Sequence, residues 1–171
     1  VSFNALDPAL GNFLSDPTQG KPEAVPFVLT VPKGTPPDGK WPVVIFQHGL
    51  GGGKVEAFKL ANVFAKAGFA MLATDMIYHG ARSWCTKAAD CDAGGTCDVS
   101  TGKCSNKLLD TDGNGVPDAS GGSKFLNTSN PFAIRDNFRQ HIIDTAALLR
   151  GVALDAASPL GIKLDPAKVY L

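Results

Sequence analysis

The chain has no excess charge of either sign: 16 lysines and arginines stand against 16 aspartates and glutamates. That balance gives no support to a nucleic acid or an anionic membrane surface as partner, both of which call for a concentrated positive field. No apolar run approaches the ~20 residues that cross a bilayer, so no transmembrane segment is expected. There is no closely spaced C-x2-4-C pair of the kind that opens most zinc sites. Phosphate loops are missing too. Gly53-Lys54 could close a G-x-x-x-x-G-K-[ST] loop, but His48 stands where its first glycine belongs and Val55 where its hydroxyl belongs. A G-x-G-x-x-G dinucleotide turn fails at Lys54. The sequence also lacks an initiating methionine and any signal-like leader, opening on Val1, which implies a processed or trimmed N-terminus.

What is present reads as one α/β domain. A length of 171 residues suits a single domain, and a hydrophobic content of 44% supports a real core. Residues 1–24 carry Asp-Pro twice and scattered glycine, and read as an irregular lead-in. Val25–Val31 has strand composition, with Pro26 confining it to an edge or a strand start. Trp41–Gln47 is short, continuously apolar and β-branched, as a strand buried on both faces is. Apolar residues at helical spacing run from Val55 to Ala67, and Gly68 is placed to end that helix. Phe69–Thr74 is the next buried strand. Strand, helix and strand at this spacing form a βαβ unit, so the two strands are expected to be parallel. Residues 84–126 then break the pattern as an insertion rich in Cys, Asp and Gly. Asn130 and Pro131 suit the N-cap and first position of a long helix, with Phe132, Ile134, Phe138, Ile142, Ala146 and Leu149 as its expected apolar face. Gly151 or the turn after it should end this helix. Lys168–Leu171 reads as the beginning of an interior strand of a larger sheet, so residues 1–171 alone are expected to be poorly soluble.

Cys85, Cys91, Cys97 and Cys104 follow the spacing C-x5-C-x5-C-x6-C. An even count in a polar, loop-rich segment favours two disulfides, and three pairings are open. Disulfides place the chain in an oxidising compartment: secreted, periplasmic or on the cell surface.

The stretch with the clearest chemistry is Pro42-Val-Val-Ile-Phe-Gln-His48-Gly49-Leu50-Gly51-Gly52-Gly53. An apolar strand runs into a glycine-rich turn, and a helix follows. Glycine lets such a turn aim a backbone N–H at a developing oxyanion. The sequence His48-Gly49-Leu50-Gly51 resembles the oxyanion motif of the α/β-hydrolases. Asp75-Met-Ile-Tyr-His79-Gly80-Ala-Arg-Ser83 resembles their D-x-x-x-H-G-x-S segment. Arg135-Asp136-Asn137-Phe138-Arg139-Gln140 with Asp144 is similar to a helix of the bacterial virulence-factor-type extracellular lipases and esterases. The resemblance covers about residues 25–84 and 127–171. It implies the N-terminal part of an α/β-hydrolase fold: a mostly parallel sheet with flanking helices and a disulfide-rich excursion. It also implies a secreted serine ester hydrolase acting on an ester or lipid substrate.

In that reading the Leu50 N–H is the oxyanion donor, and His48, Gly49 and Gly51 shape its loop. The family's nucleophile sits in a G-x-S-x-G elbow, which this chain lacks, so nucleophile, acid and base would come from a C-terminal half on the same or a second chain. Ser100-Thr-Gly-Lys103 matches S-x-x-K but lies between two cysteines, without the helix such a pair needs. His48, His79 and His141 read as bracing or packing residues. Two other readings compete: a catalytically inactive surface binding module stabilised by calcium and disulfides, and a peptidase or thioesterase on the same fold.

Asp110, Asp112, Asn114, Val116 (through its carbonyl) and Asp118 place oxygen ligands where the front of a calcium loop has them, with Gly115 at the sharp turn. Gly121 replaces the closing glutamate, so this resembles a shorter, structural calcium loop. Asp112→Ala is expected to lower the melting temperature in millimolar calcium and to leave it unchanged in chelator. Superimposable melting curves of the parent chain in calcium and in chelator would remove the site.

Overall fold

The computed structural model describes residues 22–83, 85–91, 95–106 and 122–171. They fall into two compact units. One comprises Phe27–His48, Lys54–Thr74 and Thr145–Leu171; the other draws its described residues from 22–26, 49–53 and 75–144.

The first unit is a four-stranded mixed sheet. Its strands are β1 (Phe27–Thr30), β2 (Trp41–Phe46), β3 (Ala70–Thr74) and, in this unit, the C-terminal Leu164–Tyr170. The order is β1, β3, β2 and then the C-terminal strand. β1 runs antiparallel to β3, while β2 is parallel to both β3 and the C-terminal strand. The parallel pairing of β2 and β3 follows from the helix between them, α1 (Ala57–Lys66), which carries the chain back to the starting end. β1 starts directly after Pro26 and lies at the sheet edge, where a residue without an N–H does no harm.

Alternation sorts the core into two layers. Trp41, Val43 and Ile45 of β2 and Ala70 and Leu72 of β3 pack with Leu148 and Val152 of the long helix α2 (Pro131–Ala153). Met71 and Ala73, on the other face of β3, pack with Ala57 and Phe64 of α1. β3 is thus buried on both faces, and this is why its sequence shows no polar alternation. On α1 the buried stripe is narrower than its apolar residues suggest. Phe58, Leu60 and Val63 stay exposed. The helix ends at Gly68, whose φ of 84° takes the left-handed conformation.

Two expectations change in detail. The C-terminal strand starts at Leu164 rather than at Lys168. Its pairing jumps from Trp41↔Leu164 to Val43↔Val169, so Pro166 sits in a bulge where it owes no ladder hydrogen bond. Of the two stops expected for α2, the turn after Gly151 is the one observed, with the helix ending at Ala153. The expected apolar face of α2 is not its buried face. Phe138 and Ile142 are 51% and 67% exposed, and Phe132 is exposed with them. The N-terminal half of α2 instead buries Ala133, Asp136, Asn137, Gln140 and Asp144. Asn130 does cap it, its Oδ1 accepting the Ala133 N–H at 3.2 Å.

The second unit contains the hairpin of β4 (Gly95–Asp98) and β5 (Lys103–Asn106), so the C-terminal strand is β6. Two disulfides, Cys85–Cys97 and Cys91–Cys104, fix the hairpin and the chain leading into it. This settles the pairing that the sequence left open among three.

The two-layer burial makes a direct prediction for the sheet unit. Ile45→Ala should lower stability by roughly 2–5 kcal/mol, as large-to-small changes in packed cores do. Val63→Ala, on the open side of α1, should stay within about 0.5 kcal/mol of the parent. Equilibrium urea unfolding of both variants measures the difference.

Candidate functional site

The chain leaves β2 at Phe46 and turns through His48–Gly53 before α1 begins. His48 is buried, and the Gln47 side-chain amide donates to its carbonyl at 2.9 Å. Gly49 and Gly52 close a β-turn in which the Gly52 N–H donates to the Gly49 carbonyl at 3.1 Å. Gly51 has φ 80° at the third position, the signature of a type II turn, and glycine takes that conformation without the penalty a Cβ would bring. Leu50 is the second residue of the turn. Its side chain is 57% exposed, and among the described residues its N–H donates to no acceptor. A type II turn aims this N–H away from the turn itself.

Asp75 follows β3 and is fully buried. Its Oδ2 accepts the Ala81 N–H at 3.0 Å. Gly80 (φ 48°) lies so close over this carboxylate that any Cβ there would overlap it. Gly53, the last glycine of the turn, also borders it: a Cβ on Gly53 would lie 3.2 Å from Asp75 Oδ1. Asp75 thus sits under both the Gly80–Ala81 backbone and the end of the glycine turn. His79 is buried beside it in sequence, its Nδ1 3.1 Å from the Ile77 carbonyl and its ring edge-on to Phe125. That placement suits a packing residue.

The centre of the second unit is Arg82, whose side chain has no solvent exposure. Its guanidinium donates to Asp144 Oδ2, to Glu23 Oε2 at 3.0 Å and to the Asp75 carbonyl at 3.2 Å. Burial works to lower its pKa, but Asp144 and Glu23 outweigh that and hold it above the usual value. Gln140 donates to the other oxygen of Asp144 at 2.7 Å. Asn137 donates to the Phe125 carbonyl at 3.0 Å, and Phe125 stacks edge-on against Phe138. The two stretches Asp75–Ser83 and Arg135–Asp144, far apart in sequence, are therefore assembled around one buried cation. Sequence reading found both stretches but not Arg82 as the residue that joins them. The available signal was a run of polar residues, 136, 137, 140 and 144, at helical spacing.

Ser100 is occupied at the tip of the hairpin. Its hydroxyl and N–H both donate to Asp98, at 2.6 and 2.9 Å, and the Ser100 and Thr101 hydroxyls hold that carboxyl below its ordinary pKa. Lys103 is half-buried; burial and Arg82 lower its pKa while Glu23 opposes them. The Sγ atoms of Cys85, Cys91 and Cys104 lie within 4.8 Å of one another, a spacing that could suit a metal. They are bonded in disulfides here and so are not thiolate ligands, and calcium takes oxygen rather than sulfur. Asp110, Asp112, Asn114, Val116 and Asp118 lie outside the described residues. Comparison with protein-family models, curated proteins and solved structures finds no match for this chain.

The Arg82 cluster carries a prediction. Arg82→Met should cost about 3–5 kcal/mol, because it leaves Asp144 buried without its cation. Adding Asp144→Leu should recover part of that loss. A double-mutant cycle by denaturant unfolding measures the coupling, and strictly additive losses would show that the pair is not a unit.

Proposed function

We propose that this chain is the N-terminal part of a secreted serine carboxylic-ester hydrolase of the lipase and esterase kind, and that it supplies the oxyanion-binding turn. The observation that carries the reading is the outward N–H of Leu50, which has no acceptor among the described residues, in a glycine turn between a parallel strand and a helix. The assembly of Asp75–Ser83 and Arg135–Asp144 around Arg82 adds support, since the first stretch resembles an α/β-hydrolase segment and the second a helix of the extracellular lipases and esterases. The disulfides suit an oxidising compartment, and no helix among the described residues is long and apolar enough to cross a membrane. The exposed apolar residues Phe138, Ile142 and Tyr170 suit cover by further sequence of the same hydrolase. That sequence would hold the nucleophile, the acid and the base.

In this mechanism the ester carbonyl oxygen lies at the Leu50 N–H. As the nucleophile attacks, charge builds on that oxygen and the hydrogen bond strengthens. The donor is fixed by the turn before reaction, so little reorganisation opposes it. Its effect falls on the transition state more than on substrate binding.

Leu50→Pro tests this cleanly. Proline is favoured at the second position of a type II turn, so the substitution removes the N–H while keeping the fold of the turn. In the protein that carries the elbow, kcat on p-nitrophenyl esters should fall by about 10²–10³. Leu50→Ala keeps the N–H and should remain near the parent. Equal activity of the proline and alanine variants would reject the oxyanion role, and failure of the parent to react with a fluorophosphonate probe would reject the hydrolase itself.

A further inference from the structure

The two disulfides of the hairpin lie close together. Cys85 is bonded to Cys97 and Cys91 to Cys104, yet Cys85 Sγ lies within 4.8 Å of both Cys91 Sγ and Cys104 Sγ. Cys85 and Cys104 are buried, whereas Cys91 and Cys97 are half-buried. Cys97 and Cys104 are also directly paired across β4 and β5. Disulfide exchange requires a thiolate to reach a disulfide sulfur, and here the covalent frame holds those partners together.

We propose that the two bonds form one redox-coupled unit, with Cys85 as the exchanging sulfur and Cys97 as the thiol released by any two-electron reduction. The co-reactant is a thiol or phosphine reductant. Suppose it reduces Cys91–Cys104, giving two thiols. The Cys91 or Cys104 thiolate then attacks Cys85 Sγ. A new bond to Cys85 forms as the Cys85–Cys97 bond breaks, and Cys97 leaves as a thiolate that takes a proton from water. Suppose instead that Cys85–Cys97 is reduced first. The Cys85 thiolate attacks Cys91 Sγ or Cys104 Sγ and expels the other, and Cys97 is again left free. The exchange step has no net oxidation, and both routes reach the same one-disulfide products.

Acidity separates reduction from exchange, because a cysteine of ordinary pKa near 8.5 has almost no thiolate at low pH. The native chain is reduced with limiting tris(2-carboxyethyl)phosphine at about pH 3, where the phosphine is oxidised to its oxide and exchange is frozen. One half is alkylated at once under acid conditions. The other is brought to about pH 8 in dilute solution before alkylation, where thiolate is abundant. Peptide mapping of the one-disulfide species gives the labelled cysteines. At low pH the label should sit on an original pair, Cys85 with Cys97 or Cys91 with Cys104. After the pH jump it should be lost from Cys85 and appear on Cys97 together with Cys91 or Cys104. Label that stays on the original pairs after the jump would overturn the proposal and leave two independent structural bonds.

Discussion

A buried arginine with no exposed atoms sets the terms for one half of this molecule. The guanidinium of Arg82 cannot shed its charge, so anionic partners must accompany it out of water. Asp144 and Glu23 do so, and the Asp75 carbonyl takes a third N–H. Each partner comes from a different stretch of chain, so one electrostatic requirement gathers the segment at Glu23, the loop after β3 and the N-terminal half of α2. It also explains which side of α2 is buried. A helix that must deliver Asp144 to Arg82 turns inward the residues that share its face, namely Gln140, Asn137 and Ala133. Phe138 and Ile142 then face out, whatever their hydrophobicity.

The sheet unit obeys a simpler rule. Its strands are sorted by burial of alternate residues on two faces, with the C-terminal part of α2 on one and α1 on the other. The C-terminal part of α2 accordingly buries apolar residues, Leu148 and Val152, where the N-terminal part buries polar ones. Against Phe27, Leu29 and Leu72 the same stretch leaves an apolar cleft of about 250 Å³. The glycine turn follows β2 directly. Its distinctive feature is backbone rather than side chain: a glycine with positive φ at position 51 turns the chain, and the preceding N–H has no acceptor among the described residues.

The hairpin of β4 and β5 has little apolar content to hold it. Its order rests on Cys85–Cys97 and Cys91–Cys104, and each bridge over a loop of this length is worth about 2–3 kcal/mol in the chain-entropy view. Crowding four sulfurs into so small a frame is what brings non-bonded cysteines within reach of one another.

Local features were legible in the sequence because their causes are local. The strand at Trp41–Phe46, the βαβ order, the stop at Gly68, the Asn130 cap and the glycine turn all depend on residues adjacent in the chain or one helical turn apart. The even, clustered cysteines likewise announced two bridges. Their pairing did not, since it depends on how the hairpin brings Cys97 opposite Cys104 while bonding each elsewhere. The role of Arg82, the polar face of α2 and the bulge at Pro166 were decided only by tertiary structure. The physical reason is the same for all three. A buried charge selects its partners by distance in space, and a strand's register is set by its neighbour, so the helical spacing of residues 136, 137, 140 and 144 marks a polar stripe without showing that it faces a buried arginine.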